Sequence, residues 1–409
     1  MHVVLIHQGF VSPQDAGGTR HYELATRLVD RGHQFTIVGS DISYLSGVRN
    51  VASVRLVTEQ ELDGIRLLRA YTFPSLHRSF AGRLLSFFSF MLTSIYAGYC
   101  AGKVDVVIGT SPSLFQALSA WCLSVIRWRP FVLEIRDLWP EFAVDMGILK
   151  SRSLIFLARW LEQFLYARAT HIVVNSPAFQ DYLVSKGVTA NKISFIANGV
   201  DPQMFDEPTS SGSLRTSLGL QDKIIAVYTG ALGTANDIQT ILRAAERLKG
   251  DSRIHFLLVG DGKDRTRLED LAKVLQLSNV TFAGVQPKTE IPDILAHANI
   301  CIATLQDIPM FRTTYPNKVF DYMAAGRPIV LGIDGVIRGV VEAAGGGLFI
   351  TPGDDSALAD AVKRLADDSD LANNLGESGK SYVAKYFDRS HHAQMLDELM
   401  TRVSHRAAA

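Results

Sequence analysis

The stretch YPNKVFDYMAAGRPIV, residues 315–330, places a proline, a lysine and an aspartate where a helix is expected to begin. Pro316 fits the first turn of that helix, so the free amides from Asn317 onward would point outward and could bind an anion. Lys318 and Asp321 are three residues apart and share one helix face. The lysine could meet a phosphate while the aspartate accepts hydrogen bonds from sugar hydroxyls. The alternative is a surface Lys/Asp pair on a capped helix.

Two further loops carry glycines between a predicted strand and a predicted helix. In QGFVSPQDAGGTRHYELATRL, Gly17 and Gly18 would let backbone amides approach an anion at the helix N-terminus, although a tight turn explains the pair equally well. In VGDGKDRTRLEDL, Gly260 and Gly262 lack the third glycine of the dinucleotide fingerprint. A turn is the favoured interpretation of the second loop.

The elements that must position these residues follow a repeated pattern. Short apolar runs alternate with helical patterns, and the strand-like runs are HVVLIH, QFTIVGS, GIRLLRAY, VDVVIGT, FVLEIRD and HIVVNS, then IIAVYTG, IHFLLVGDG, NVTFAG, NICIAT and PIVLG. This alternation predicts an α/β protein with two doubly wound parallel sheets. We expect domains at residues 1–200 and 201–387, with a linker in 201–213. A last helix, about 388–409, could cap the second domain or pack back on the first.

Composition agrees with two globular domains and limits the classes of function. The chain has 409 residues, of which 47% are hydrophobic and 20% charged. Residues 1–200 hold 19 basic and 14 acidic side chains and the remainder holds 22 and 27, so the first half is the basic one and could meet an anionic surface. No nucleic-acid partner is expected from this balanced total.

The cysteines, the histidines and the first residues bear on compartment and metal content. Cys100, Cys122 and Cys301 are an odd number in apolar surroundings, which fits neither a disulfide framework nor a zinc site. The histidines show no metal-ligand spacing, so no metal is assigned. The start MHVVLIHQGF reads as a buried strand rather than a secretory signal, and a cytoplasmic location is expected.

Several stretches together resemble one family. They are AGGTRHYELATRLVDRGH, IANGVD, VYTGALGTANDIQTIL, FLLVGDGKDRTRLEDLA, VTFAGVQPKTEIPDILAHANICIATL and YPNKVFDYMAAGRPIV. In this order they resemble the retaining glycosyltransferases of family 4, the group 1 transferases, over nearly the whole chain. EIRDLWPEF with NKVFDYMAAGRPI is most similar to the branch that adds amino or deoxy sugars to bacterial surface polysaccharides, the fucosamine transferases. The resemblance implies the GT-B fold, with two Rossmann-like domains and a ligand cleft between them.

The resemblance also implies donor contacts, and the chain departs from some of them. The family usually has two glutamates eight residues apart, and Asp321 and Thr313 stand in those places. Where an arginine and a lysine often bind the diphosphate, this chain has Ala231 and Asn236, so Arg312 and Lys318 are the candidates to meet its charge. The full set expected to bind the donor is Gly17, Gly18, Gly230, Asn236, Gly260, Val285, Arg312, Thr313, Pro316, Asn317, Lys318 and Asp321.

Four ionisable groups crowd EIRDLWPEF, residues 134–142, at the end of a predicted strand of the first domain. Asp137 or Glu141 could orient an acceptor hydroxyl, and Arg136 could hold an acceptor phosphate. With Lys318, these three are the candidate catalytic residues. A structural Arg/Asp pair, with the following turn packed by Trp139, is the alternative.

The run from Leu84 to Gly102 is uncharged, but its hydroxyl residues make it a poor membrane span. A buried helix is the favoured interpretation. The alternative is a helix lying in the membrane surface, flanked by Arg78, Arg83 and Lys103, with apolar area from residues such as Phe87, Phe88, Phe90 and Met91.

The expected activity is retaining transfer of an N-acetylated amino or deoxy sugar from a UDP-sugar to a saccharide on a polyprenyl diphosphate carrier. Donor, carrier and retention are implied by the resemblance, and no cofactor is expected beyond the donor substrate. Two alternatives stay open, namely a sugar-nucleotide epimerase on the same architecture and a non-catalytic subunit that binds nucleotide-sugars.

Overall fold

A computed structural model describes residues 1–43, 47–74, 80–206 and 213–408. The chain divides into two compact units. Unit 1 comprises Met1–Ser12, Thr19–Ala197 and Ser390–Ala409, and unit 2 comprises Pro13–Gly18 and Asn198–Arg389. The loop expected to bind an anion therefore belongs to unit 2, although it joins two elements of unit 1. The predicted linker, 201–213, lies in part outside the described residues.

Unit 1 is built on an eight-stranded sheet in the order β3-β4-β2-β1-β5-β6-β7-β8. The strands are β1 (His2–Ile6), β2 (Gln34–Ser40), β3 (Val57–Leu62), β4 (Ile65–Ala70), β5 (Val106–Thr110), β6 (Phe131–Ile135), β7 (His171–Val174) and β8 (Ile193–Phe195). All neighbours are parallel except β3 and β4. The central strands β1, β5 and β6 are buried along their whole length, as expected for a parallel sheet covered by helices.

The helices of unit 1 are α1 (Arg20–Asp30), α2 (Phe80–Cys100), α3 (Leu114–Arg127), α4 (Glu141–Asp145), α5 (Arg152–Arg168) and α6 (Pro177–Ser185). The sequence pattern missed three strands, which are β3, β8 and the strand at 347–349 of unit 2, and β3 forms a hairpin with β4. Asp63 and Gly64 turn this hairpin with positive φ at both residues, the conformation that a two-residue Asp-Gly turn favours.

Unit 2 has a six-stranded parallel sheet in the order β11-β10-β9-β12-β13-β14. Its strands are β9 (Ile224–Thr229), β10 (Ile254–Val259), β11 (Val280–Gly284), β12 (Ile300–Thr304), β13 (Ile329–Gly332) and β14 (Gly347–Phe349). Its helices are α7 (Ser213–Ser217), α8 (Ile238–Arg247), α9 (Arg265–Val274), α10 (Ile291–Ala296), α11 (Asn317–Ala324), α12 (Val336–Ala344), α13 (Asp355–Asp367) and α14 (Ser369–Tyr386).

The last helix, α15 (Arg389–Ala408), supplies core to unit 1. Ala393, Leu399 and Met400 are buried in one apolar cluster with Val3 and Leu24. Because these side chains are at most 2% exposed, unit 1 cannot complete its core without α15.

The apolar helix α2 has two different faces. Its hydroxyl residues Ser86, Thr93 and Ser94 lie on the buried face beside Phe90, which is 1% exposed and therefore belongs to the core. The other face is exposed and apolar, and its large side chains are Leu85, Phe88, Leu92, Tyr96 and Tyr99. Within the part of the chain that the structure describes, no helix is long and apolar enough to cross a membrane. Arg78, expected to flank α2, lies outside the described residues.

Candidate functional site

Helix α11 begins one residue later than the sequence predicts. Pro316 is its N-cap residue, with φ −65° and ψ 126°, instead of its first helical residue. The amide of Val319 donates to the carbonyl of Pro316 at 3.1 Å, so only the amides of Asn317 and Lys318 lack an acceptor in the described chain. The N-terminus of α11 therefore offers two free amides to an anion, which is fewer than the sequence predicts.

Tertiary contacts fix α11 against β9. The Tyr322 side chain is fully buried, and its hydroxyl accepts from the amide of Thr229 at 2.8 Å. The carbonyl of Tyr315 accepts from the Asn198 side chain at 2.7 Å, which holds the residues that enter the helix. Side chains on the opposite face of α11 are thus presented in a defined register.

Lys318 reaches from α11 into the loop that follows β9. Its Nζ lies 3.8 Å from the centre of the Tyr228 ring and donates to the Tyr228 hydroxyl at 2.7 Å and to Oδ1 of Asn236 at 3.4 Å. An added Cβ at Gly230 would lie 2.9 Å from this Nζ. The structure therefore brings together Gly230, Asn236 and Lys318, three of the residues that are expected to bind the donor.

The ammonium group of Lys318 has no carboxylate within 4.0 Å among the described residues. Burial lowers the pKa of Lys318 to about 7. An anion that bound beside the ammonium group would favour its charged form and raise that pKa again.

Asp321 is held by a partner that sequence reasoning missed. Nζ of Lys288 lies 2.6 Å from Oδ2 of Asp321, and the two side chains are only 10% and 13% exposed. Lys288 stands 33 residues from Asp321 in the sequence, in the turn that follows β11. Its position in VQPKTEIPD gives no local signal of this contact.

The glycine loop lies beside these residues within unit 2. The amide of Lys288 donates to the carbonyl of Asp15 at 3.1 Å. A Cβ at Gly18 would lie 2.9 Å from Nδ2 of Asn317, so Gly18 permits close approach of the loop to α11. Oδ1 of Asn317 is buried and has no hydrogen-bond partner in the described chain. Gly17 lies in the same loop.

Gly260 serves loop packing. It has φ +138°, and an added Cβ would lie 1.9 Å from the carbonyl oxygen of Gly230, while the amide of Gly230 donates to Val259 at 2.9 Å. Only glycine fits such a contact. The prediction of a turn therefore explains Gly260. This glycine packs against the loop that carries Gly230.

Three other residues that are expected to bind the donor make no contact with Lys318 in the contacts described for them. Arg312 is exposed and pairs with Asp307 at 2.9 Å, and that carboxylate raises the pKa of Arg312. Oγ1 of Thr313 donates to the carbonyl of Met310 at 2.6 Å. The Val285 side chain is 51% exposed and follows β11. None of these contacts joins the Lys318 group.

In unit 1, a buried carboxylate near the ends of β5 and β6 accepts hydrogen bonds from several polar groups. Glu134 is 5% exposed and accepts from Nε of Arg20 at 2.9 Å, from Nε2 of His21 at 2.5 Å and from the hydroxyl of Thr110 at 2.9 Å. His21 and Arg20 hold the pKa of Glu134 well below its usual range against the opposing effect of burial.

Arg136 and Asp137 follow β6 directly. Their amides donate to the hydroxyl of Ser111 at 2.7 and 3.1 Å, and Nη1 of Arg136 lies 3.3 Å from Nε2 of His7. Burial raises the pKa of Asp137 to about 6, with Arg136 opposing the shift. A carboxylate that costs free energy to ionise is a candidate for function.

Glu141 is in a different set of contacts. Both of its carboxylate oxygens accept from Arg159 at 2.8 Å, and Nζ of Lys186 lies 3.5 Å away. Arg159 holds the pKa of Glu141 below its usual range. The structure therefore accounts for Glu141 as an ion-pair partner of α5, while Arg136 and Asp137 remain the candidates at this strand end.

Family comparisons cover both units. A family model described as a glycosyl transferase 4-like domain matches residues 16–199, and the model for glycosyl transferases group 1 matches residues 212–382. The chain belongs to the group 1, family 4 glycosyltransferases. It is thus a transferase enzyme with the GT-B fold.

Individual relatives are distant. This glycosyltransferase is 26% identical to the probable glycosyltransferase WbjE of Pseudomonas aeruginosa over 73% of this chain and 75% of that protein. It is also 26% identical to WcaI of Escherichia coli, a putative colanic acid biosynthesis glycosyl transferase, over 61% of this chain and 63% of WcaI.

Solved structures share the fold over the full length. Sucrose-phosphate synthase from Thermosynechococcus elongatus has a TM-score of 0.78 and 21% identity, with 100% of both chains covered. HepE from Anabaena, solved with UDP-glucose, has a TM-score of 0.74 and 18% identity, with 98% of this chain and 100% of HepE covered.

Proposed function

We propose that this glycosyltransferase moves an N-acetylated amino or deoxy sugar, with retention, from a UDP-sugar to a saccharide on a polyprenyl diphosphate carrier. Two relatives support a role in bacterial surface-polysaccharide synthesis, namely the putative colanic acid biosynthesis protein WcaI and the putative teichuronic acid biosynthesis glycosyltransferase TuaH of Bacillus subtilis. The HepE structure with UDP-glucose supports the class of donor.

The observation that carries the proposal is the Lys318 side chain, which lies beside Gly230 and Asn236 and has no carboxylate within 4.0 Å among the described residues. In this family the loop around residue 230 commonly supplies the cations for the diphosphate, and here the cation comes from α11. As the glycosidic bond breaks, negative charge grows on the leaving diphosphate, and a cation fixed there stabilises the transition state. The diphosphate would then accept the proton of the incoming hydroxyl on the same face.

The remaining donor contacts follow from the neighbours of α11. Asp321 would accept hydrogen bonds from the ribose hydroxyls while the contact with Lys288 orients its carboxylate. The buried, unpartnered Oδ1 of Asn317 is an acceptor available to the donor. On unit 1, Arg136 would hold an acceptor phosphate and Asp137 an acceptor hydroxyl.

Calorimetry with UDP tests the Lys318 assignment. At pH 8 an ammonium group with a pKa of about 7 is mostly deprotonated, so UDP binding should draw a proton from the buffer. Titrations in two buffers of different ionisation enthalpy measure that uptake. Lys318→Met should abolish it, whereas Arg312→Met, at an exposed arginine, should keep it. Equal uptake in wild type and Lys318→Met would refute the role.

A thermal-shift screen identifies the donor, since a ligand that binds only the folded state raises its stability with the logarithm of its concentration. The hit is then incubated with an acceptor-bearing membrane extract. Release of free UDP that requires the extract supports transfer. Conversion of the sugar without release of UDP would instead indicate an epimerase, and binding without any reaction would indicate a non-catalytic subunit.

Peripheral attachment of unit 1 to the cytoplasmic face of the membrane is the second part of the proposal, because a lipid-linked acceptor lies there. The exposed stripe of α2 comprises Leu85, Phe88, Leu92, Tyr96 and Tyr99, which are 45–64% exposed. Helix α3 packs beside α2 and is followed by its C-cap residue Trp128, which is 90% exposed. Exposed Arg83 and Lys103 stand near the two ends of α2. Apolar area flanked by basic residues suits an anionic bilayer surface.

Liposome flotation tests this attachment. Binding should rise with anionic lipid and fall with salt, and Leu92→Ser with Trp128→Ser should abolish it. Both side chains are exposed, so the fold should persist. Val274→Ser is the matched control, since Val274 is 77% exposed on unit 2. Absence of wild-type binding at low salt, or equal loss with the control, would refute the attachment.

A further inference from the structure

A continuous chain of hydrogen bonds runs through unit 1 from Arg136 to Glu134. Nη1 of Arg136 lies 3.3 Å from Nε2 of His7, and Nδ1 of His7 lies 2.9 Å from Nδ1 of His21. Nε2 of His21 then lies 2.5 Å from Oε2 of Glu134. Both imidazoles are only 7% exposed, so water does not replace these contacts.

The chemistry of the two ends fixes every proton in this chain. A guanidinium group can only donate, so Nε2 of His7 must be the unprotonated, accepting nitrogen. Nδ1 of His7 then carries the proton and donates to Nδ1 of His21, whose Nε2 donates to the carboxylate of Glu134. Both histidines are neutral in this arrangement. Burial also lowers the pKa of each imidazole, which agrees with the neutral forms.

The charge on Arg136 remains available. Among the described residues no carboxylate lies within 4.0 Å of its guanidinium group, because Glu134 is taken by Arg20 and His21. The residue is half-buried, and its hydrogen bond to His7 occupies one of five N–H donors. A carboxylate partner would fix the guanidinium group equally well but would cancel its charge. A neutral imidazole fixes it and leaves the charge for an anion.

We propose that His7 and His21 are positioning residues that hold Arg136 as the receptor for a phosphate group of the acceptor. The ligand is a diphosphate or a phosphate monoester. This choice of ligand rests on the proposed function, because an acceptor linked to a polyprenyl carrier bears a diphosphate. His21 acts through His7, and Glu134 anchors the far end. The arrangement selects an anion because it presents N–H donors of a guanidinium group that no carboxylate among the described residues contacts within 4.0 Å.

The test measures diphosphate binding to unit 1 by calorimetry with saturating UDP, which occupies the donor site. Inorganic pyrophosphate and geranyl diphosphate are the two probes. Arg136→Ala should weaken both by about 10- to 100-fold, the range for hydrogen bonds to a charged group. His7→Leu should weaken both by about tenfold, and His7→Gln, which restores an accepting atom, should recover most of the loss.

A double-mutant cycle separates positioning from a merely structural role. If His7 acts through Arg136, His7→Leu should have no further effect on either probe once Arg136 is alanine. His171→Leu is the matched control, because His171 is a buried histidine of β7 bonded to Ser194 at 2.9 Å. That variant should leave probe affinity unchanged.

Several outcomes would overturn the inference, namely no binding of either probe to the wild type, wild-type affinity in folded Arg136→Ala, or an effect of His7→Leu that persists in the double variant. Tighter binding of geranyl diphosphate than of pyrophosphate supports a lipid carrier, and equal binding supports a soluble phosphorylated acceptor. If the wild type does not bind UDP, that result counts against the proposed function and not against the Arg136 site.

Discussion

Glu134 of unit 1 and Lys318 of unit 2 are charged groups that are held in opposite ways. In unit 1 the buried Glu134 accepts hydrogen bonds from Arg20, His21 and Thr110, so this carboxylate has several partners, two of them basic. In unit 2 Lys318 is held by one aromatic ring and two oxygen atoms, without a carboxylate. Substitutions in the first group should therefore disturb the fold together with function. Substitution of Lys318 should change function alone.

The largest effect that separates the two groups is expected for Glu134→Ala. It would leave Arg20, at 1% side-chain exposure, without its counter-charge, and breaking a buried pair in this way costs about 3–5 kcal/mol. Chemical denaturation monitored by circular dichroism measures the loss. A change below 1 kcal/mol would show that the buried network does not stabilise unit 1.

Lys318→Met should leave the unfolding transition nearly unchanged and reduce kcat/KM by about 10²- to 10³-fold, the range for loss of one donor at a developing negative charge. Because the charge grows in the transition state, kcat should fall as well. Steady-state kinetics with the identified donor checks this. A rise in KM alone would mean that Lys318 binds the ground state and the transition state equally.

Asp137→Asn tests how the stability of unit 1 depends on pH. The folded pKa of Asp137, about 6, exceeds its ordinary value of 3.8, so the folded state binds the proton more tightly and wild-type stability falls as pH rises from 4 to 6. The asparagine variant should therefore be more stable than wild type at pH 8, by up to about 3 kcal/mol, and equal to it below pH 4. Unfolding free energies across this range measure the difference. A pH-independent difference would exclude the titration of Asp137 as its cause.

Asp321→Ala is expected to have the smallest effect on function, a loss of UDP affinity of about tenfold through the ribose hydroxyls. Because the change also removes the carboxylate partner of Lys288, circular dichroism must first show that the variant is folded. Calorimetry measures this loss. Arg312→Ala is its control, because Arg312 is exposed and paired with Asp307. Unchanged UDP affinity in Asp321→Ala would restrict Asp321 to its pairing with Lys288.

The fold was accessible from sequence because both sheets consist of short apolar strands at regular intervals. Three strands were missed, since the partly exposed residues 57–62 of β3 lack an apolar run and β8 and β14 are only three residues long. At the site, the family resemblance implies that both Asn236 and Lys318 bind the donor, and the structure places the two side chains 3.4 Å apart.

The partners of the predicted residues could not be read from sequence. Lys288 meets Asp321 across 33 residues, and His7 meets Arg136 across 129. Such contacts depend on strand order and helix register, which local periodicity does not encode. Metal-ligand spacing does not reveal a role for the histidines, yet His7 directly follows β1 and His21 lies in the first turn of α1, which places both at the carboxyl edge of the sheet.

The packing of α15 in unit 1 has a consequence for biosynthesis. A ribosome completes the whole of unit 2 before it adds Ala393, Leu399 and Met400, the residues that fill the core of unit 1. Multidomain chains commonly fold from the N-terminus during synthesis. Here unit 1 emerges first, but part of its apolar core stays uncovered until α15 is synthesised. Unit 2 can fold before that point. Nascent chains stalled before residue 390 should therefore engage chaperones through their N-terminal half.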